Sequence, residues 1–594
     1  METRQKQLSS RWKKPVSELE ANNDDAEASV GAGENNEGHQ KYATDTDATT
    51  RNVDAAAVED VDETKIKIYL TGWRLHALTA GLCLSLLLST LETTIVSTSL
   101  VSIINALQGF SQSGWVVTSY LLTYTGFLIT YAILSDILGC KLLLLFAIGL
   151  FTIFSIACGV SNSILPLIIF RAFQGMGASG IYSLVTVMTP LMVPPAKYAT
   201  YIAVFSSVFA ISSVLGPLLG GAITDNATWR WVFFLNGPGG ALAIALVAVS
   251  APLSFPYKPR PRFFASLVAD RAWKRVGFLG AFTSWAASIL LVFALQQAGV
   301  AYPWDSGPIV ASFVLAGLLW IAFALWERRV SLKDGVCEPM FHWRMACNRF
   351  VLGLLLNAFL TGFPFMAAII NIPQRLQTVN GTTAGEAGLR LLPLVLCSPF
   401  ATVVAGFLVS KLRVPPLYVL LVGGILQTVG VGLFSSLDNA SSFDIPPSQY
   451  GYQVIMGFGF GFNLSTILMM APLVVEQKDM AVIMGSVTQI RVLGGTIGLA
   501  ICSALLVNRI TSETSEFLSP SQAAALLQSF QSAKLLPPEL QHRVRSAFAV
   551  AYSQQMRAML YFCAVSLLSL GLLVERRPRR MSKTAGNGEL VEVK

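Results

Sequence analysis

Apolar stretches of about 20 residues recur along this chain from Leu75 onward, separated by short polar segments. Each is long enough to cross a hydrocarbon layer of about 30 Å at about 1.5 Å per helical residue. The pattern predicts membrane-spanning helices near 75–98, 115–135, 142–160, 163–187, 199–223, 231–251, 276–297, 308–326, 350–371, 388–410, 416–435, 452–473, 481–507 and 557–574, fourteen in all. The first 62 residues differ: they are rich in Asn, Asp, Glu, Ala and Thr and poor in large apolar side chains. Such a composition does not offset the entropy of ordering, so residues 1–63 are expected to form a disordered cytoplasmic tail.

Composition agrees with the bilayer as solvent. Hydrophobic residues make up 53% of the 594 and charged residues only 13%, against about a quarter charged in soluble domains. A net charge of +8 would suit nucleic acid, but the Lys and Arg lie between apolar runs and build no single basic face, so no nucleic-acid partner is expected.

Lys and Arg collect in cytoplasmic loops. Lys258, Arg260, Arg262, Arg271, Lys274 and Arg275 follow the sixth predicted span, and Arg328, Arg329, Lys333, Arg344 and Arg349 follow the eighth. With both segments inside, the two termini are cytoplasmic and the long loop 508–556 lies outside, despite carrying Arg509, Lys534, Arg543 and Arg545. The glycosylation triplets at Asn226, Asn380 and Asn439 then all fall in outer loops.

The chain repeats itself. Gly175-Met-Gly177 is followed by Met188-Thr-Pro190-Leu-Met-Val193, and Gly457-Phe-Gly459 by Met470-Ala-Pro472-Leu-Val-Val475, at the same spacing. Span 4 therefore corresponds to span 12. The expected architecture is an all-α polytopic membrane protein: a six-helix bundle at 75–251, an inserted pair with basic loops at 252–349, a second six-helix bundle at 350–574 and a cytoplasmic tail at 575–594.

Charges deep in a span cost about 2.5–3.5 kcal/mol even on insertion scales, so each is a functional candidate. Glu92 is the only acid well inside a predicted span. A carboxyl group in a low-dielectric cavity can exchange a proton in the physiological range, and can also attract cationic substrates. Arg171 in span 4 needs a carboxylate, carbonyl or water partner and is placed to modulate Glu92. Arg491 in span 13 invites the same reading. In span 5, Gly216 and Gly220 share a face that admits close helix approach, with Pro217 and Gly221 beside them. Asp136, Gly139 and Lys141 form a tight turn between spans 2 and 3, where exchange of ion pairs would suit a conformational latch.

No Gly-Lys pair occurs, so there is no phosphate-cradling loop of the Gly-Lys-Ser/Thr kind and direct ATP-driven pumping is not expected. There is no His-Glu-x-x-His, and His39, His76, His342 and His542 fall outside the predicted bundle interior, so neither a metal site nor an enzyme is expected.

Together these motifs resemble the major facilitator superfamily, specifically its fourteen-span drug:proton antiporters (DHA2), over roughly residues 70–575. The family's cytoplasmic loop pattern is kept at Leu134, Asp136, Gly139 and Lys141 and departed from at Ala132, Ile137 and Cys140. Arg171, Gln174, Gly175 and Gly177 keep the pattern associated with proton transfer. Gly216, Pro217, Gly220 and Gly221 keep the one associated with antiporters, and Leu91-Glu92-Thr-Thr-Ile-Val carries Glu where Asp is usual. Trp115–Tyr120, Trp229–Asn236 and Gly388–Pro393 also look like family segments.

The resemblance implies a proton-coupled exporter of drugs, toxins or secondary metabolites, similar to fungal efflux carriers. It implies a proton gradient as energy source without a cofactor, with small molecules, protons and lipid as partners; the plasma membrane is the expected location, with vacuolar or vesicle membranes as the alternatives. An importer such as a siderophore-type carrier, or a transport-dead sensor or scaffold, are the alternatives; the span 5 pattern argues against import.

Overall fold

The computed structural model describes residues 66–67 and 71–575, with breaks at 194, 253–256, 259–276, 300–301, 333–338, 340–342, 438–443, 476–479, 529–532 and 534–535. The tail predicted at 1–63, the segment 576–594 and Asn439 lie outside the described residues.

A helix occupies each of the fourteen predicted positions. In chain order they are α1 Gly72–Leu107, α2 Ser113–Leu138, α3 Cys140–Val160 and α4 Ile164–Met192. Next come α5 Pro195–Asn226, α6 in two pieces, Trp231–Phe234 and Asn236–Ser250, α7 Phe278–Gln297 and α8 Gly307–Leu332. The second half contains α9 Arg349–Thr378, α10 Ala384–Ser410, α11 Pro416–Ser435, α12 Ser448–Val474, α13 Met480–Thr514 and α14 Pro538–Ser569. Among the described residues, thirteen helices are long and apolar enough to cross a membrane. The 26-residue α2 packs among them, against α4 and α13. Lipid offers the backbone no hydrogen-bond partners, so helices that satisfy their own N–H and C=O groups are what such sequences can form.

Several helices outrun their apolar windows. α9 continues to Thr378 and takes Arg375 with it, and α14 begins at Pro538 inside the predicted loop 508–556. The reason is amphipathicity rather than hydropathy: Val544, Ala547, Phe548, Ala551 and Tyr552 are buried at helical spacing while the opposite face is polar. Likewise α8 runs past 326 and carries a second carboxylate, Glu327, buried against Gly280 of α7.

The internal repeat is visible in the packing. α4 packs on α2 and α3, α1 on α5 and α6, and α3 on α6; α12 packs on α10 and α11, α9 on α13 and α14, and α11 on α14. Every pair recurs eight helices later. The repeated glycines make these contacts: Gly175 abuts the Tyr120 carbonyl of α2 and Gly457 the Leu394 carbonyl of α10. Gly177 faces the backbone of Phe151 in α3, and Gly459 that of Gln427 in α11. A Cβ at any of the four would meet backbone of the neighbouring helix, so the repeat preserves a close approach of helices.

The halves meet through α5 on α10, α2 on α13 and α1 on α9, with α7 packed against α13 and α2 and α8 against α7. α8 presents Val314, Leu318, Ile321 and Leu325 outward, as a lipid-facing helix does. Contacts between the halves gather at the ends that loop charge assigns outside. There Gln377 donates to the Thr98 carbonyl at 2.9 Å, Gly114 abuts Ser503, and Gly221 abuts Gly385. The arrangement is closed at that end.

Candidate functional site

Within the N-terminal half, five helices converge on a polar cluster sealed by apolar neighbours. Glu92 of α1 and Arg171 of α4 are each 1% exposed and form an ion pair, Nη1 to Oε1, at 2.5 Å. The same Nη1 donates to Gln174 Oε1 at 2.7 Å, and Arg171 Nε to the Val116 carbonyl of α2 at 3.0 Å. Asn236 at the start of the longer piece of α6 donates to Glu92 Oε2 at 2.7 Å, and Gln174 to Ser155 Oγ of α3 at 2.6 Å. The guanidinium lies 4.3 Å from the ring centre of Tyr120, whose hydroxyl donates to the Ser89 carbonyl at 3.0 Å. Both carboxylate oxygens are thus bonded, and the buried charges compensate one another, which a low-dielectric site requires.

The α5 segment lies between the two halves. Gly216 and Gly220 face α1 at Thr94, Ile95 and Thr98, while Gly221 faces Gly385 and the Pro217 carbonyl faces Gly388 of α10. Thr94 donates to the Ser212 carbonyl at 3.3 Å and Ser99 to that of Gly220 at 3.3 Å. Small residues on two faces of one helix let it serve both as bundle core and as seam. One turn beyond, Asp225 accepts from the Ala384 N–H at 3.2 Å and the Gly385 N–H at 2.8 Å, capping the first turn of α10 across the seam.

A Major Facilitator Superfamily profile matches residues 82–499. The chain belongs to that superfamily. It is 66% identical over 530 residues to the MFS-type transporter FPY5 of Fusarium mangiferae, covering 89% of this chain and 88% of that protein. It is 32% identical over 460 residues to the efflux pump hmp6 of Hypomyces subiculosus, covering 76% and 78%. Among solved structures, a bacterial homolog of the human lysosomal transporter Spinster, inward-facing and occupied, superposes with a TM-score of 0.60 at 15% identity, covering 85% and 97%. That likeness shows the fold; the multi-pass membrane character rests on the profile match and the apolar helices.

The structure separates the other expected residues. Gly139 adopts φ 85° at the turn between α2 and α3, which suits a residue without Cβ. Lys141 Nζ reaches the Ala248 and Ala251 carbonyls at 2.8 and 2.5 Å, so it caps the C-terminus of α6 within its own bundle. Asp136 falls in the last turn of α2, with its side chain outside the described part. Arg491 does not join Glu92: it lies on α13, partly exposed, with the phenols of Tyr124 and Tyr182 as its electrostatic neighbours. Asn226 ends α5 with an exposed side chain, whereas Asn380 is half-buried.

Sequence reasoning passed over Asn236, Ser155, Tyr120 and Asp225 as site residues. Asn236 and Tyr120 stood inside segments already singled out, and an amide at the head of an otherwise apolar span was the available signal. Arg230 was also passed over. Its guanidinium donates to the Gly159 and Ser161 carbonyls at 2.7 Å each, capping α3 at the end opposite Lys141.

Proposed function

We propose that this chain is a proton-coupled exporter of small organic molecules working by alternating access. The observation that carries the reading is the sealed Glu92–Arg171 pair in an arrangement closed at its outer end. An ionised Glu92 is satisfied by Arg171 and Asn236; a protonated one releases the guanidinium and must find a different partner. The side chains of α1, α4 and α6 therefore have two arrangements that a single proton selects. In the cycle, the inward-facing carrier takes substrate with Glu92 ionised, the halves rock, and a proton arriving from outside neutralises Glu92 as substrate leaves. Return and loss of that proton to the cytoplasm restore the pair.

A membrane potential of 100 mV supplies about 2.3 kcal/mol per charge moved, and each pH unit about 1.4 kcal/mol. One proton thus supports at least about tenfold accumulation. The name of the relative hmp6 as an efflux pump supports the outward direction, and no organic cofactor or metal enters the proposed cycle. The plasma membrane is the proposed location, with Asn226 the outer asparagine best exposed for glycosylation.

Efflux of a fluorescent drug from expressing cells, with and without a pH gradient, tests the reading. Wild type is expected to expel the drug only with the gradient, and Glu92→Gln to lose gradient-driven expulsion. Full activity of Glu92→Gln removes the coupling role, and gradient-driven accumulation inside the cell reverses the direction.

A further inference from the structure

We propose that the transported molecules are organic anions, held between the halves by Arg491 and the phenols of Tyr124 and Tyr182. The inference rests on the transport reading only for placing substrate between the bundles. Within the described spans the deep carboxylates are Glu92 and Glu327. Glu92 is sealed and bonded at both oxygens inside the N-terminal half, so it faces no substrate in this arrangement. Glu327 lies on lipid-facing α8 against α7. The seam between the halves therefore takes no carboxylate from either, and Asp225 at its end is engaged in capping α10.

It does hold a cation. Arg491 sits on α13, which packs across the seam on α2, and it is partly exposed where Glu92 and Arg171 are closed off. Its electrostatic neighbours are hydroxyl groups of the opposite half, Tyr124 of α2 and Tyr182 of α4. Among the described residues no carboxylate lies within ion-pair distance of it. A guanidinium only donates and the two phenols can donate as well as accept, so a cation with no carboxylate partner beside two hydroxyls fits a carboxylate or sulfonate, which a guanidinium can bind through two parallel hydrogen bonds. A cationic substrate would meet like charge there.

The neighbouring surface suits the rest of such a molecule. Tyr124 and Tyr182 lie 6.3 Å apart and Tyr182 and Phe209 5.7 Å, so the partly exposed Tyr182 and Phe209 give the N-terminal half aromatic surface that continues from the buried Tyr120 and Tyr124. Flat apolar bodies stack on such faces. The class is therefore an aromatic or otherwise flat amphiphile with one anionic group.

Binding of 9-anthracenecarboxylate and of its methyl ester to the purified full-length protein, followed by the fluorescence of the probe, tests this without requiring transport. Wild type is expected to bind the carboxylate at least about tenfold more tightly than the ester, one charge-assisted pair being worth that much. Arg491→Gln should reduce carboxylate affinity to that of the ester and leave the ester unchanged, and Arg491→Lys should keep part of the preference.

Equal affinities in wild type, no binding of either probe, or an undiminished preference in Arg491→Gln overturns the proposal. The wild-type comparison stands whether or not the variants fold. A carboxylate preference in a protein that fails to export from cells supports this inference while removing the export reading.

Discussion

The two halves of this transporter share one packing scheme and differ in what they bury at its centre. In the N-terminal half, α1 and α6 are joined by Glu92 and Asn236, with Arg171 of α4 completing a charged cluster. In the C-terminal half the corresponding helices α9 and α14 are joined by Asn357, which donates to the Ser566 carbonyl and hydroxyl at 3.1 and 3.0 Å and to Ser569 Oγ at 3.2 Å. Nearby, Asn463 of α12 donates to Gln427 of α11 at 2.5 Å. Where one half holds a carboxylate and a guanidinium, the other holds amides and hydroxyls. In the proposed cycle a proton rearranges the first, whereas the matching contact in the second, among the described residues, offers it no carboxylate. The repeat thus supplies two similar frames, and the proposed cycle places its proton-sensitive part in one of them.

The largest expected effect breaks the charged cluster. Arg171→Leu leaves Glu92 buried without its cation, and removing one partner of a buried pair costs about 3–5 kcal/mol. We expect a lowered melting temperature in detergent and loss of gradient-driven efflux. Because the two charges act as a unit, Glu92→Gln combined with Arg171→Leu should melt at a higher temperature than Arg171→Leu alone. A double variant no more stable than the single would mean that the ion pair is not what the half depends on.

An intermediate effect is expected from the neutral counterpart. Asn357→Ala removes the donor to Ser566 and Ser569, a loss of about 1–3 kcal/mol for unsatisfied buried polar groups. Stability should fall while the pH dependence of efflux keeps its wild-type midpoint. A shifted midpoint would place the C-terminal half in the coupling machinery and erase the contrast.

Much of this contrast is legible in the sequence, for physical reasons that also mark where reading stops. Apolar runs reveal the helices because lipid forces backbone self-satisfaction, and the glycine pairs at 175/177 and 457/459 reveal the repeat because close approach tolerates nothing larger. Glu92 and Arg171 stand out because a charge in such a run is expensive. Their pairing does not stand out: they are 79 positions apart, and which way each side chain turns depends on how α1 and α4 pack. Asn236 and Asn357 carry no charge, so they cost too little to mark themselves. The first turns of α14 look like loop because their burial is one-sided. Asp225 reads as part of a polar loop end beside a sequon, since nothing in it announces that the N-terminus of α10 lies across from it.

That last residue offers the smallest effect and a way to sharpen the comparison, because it is a carboxylate of the N-terminal half acting on the C-terminal one. Asp225 is exposed and caps α10 through the Ala384 and Gly385 N–H groups, so it contributes to the closed outer end without burying a charge. A carboxylate at an exposed helix N-terminus is worth about 0.3–1 kcal/mol, which corresponds to about a twofold to fivefold change in a two-state equilibrium. Asp225→Ala should therefore leave the melting temperature nearly unchanged and shift the carrier toward its outward-open arrangement by that factor.

The readout is a cysteine introduced at Ser503, which abuts Gly114 in the closed seam, treated from outside with a membrane-impermeant thiol reagent. Its labelling rate should rise by the same factor in Asp225→Ala. An unchanged rate would mean that α5 and α10 are held by their small-residue contacts alone, with Gly221 against Gly385 sufficient to close the seam. An increased rate would show that the N-terminal half supplies both carboxylates the cycle responds to, one sealed and proton-selected, the other at the surface and setting how firmly the outer end stays shut.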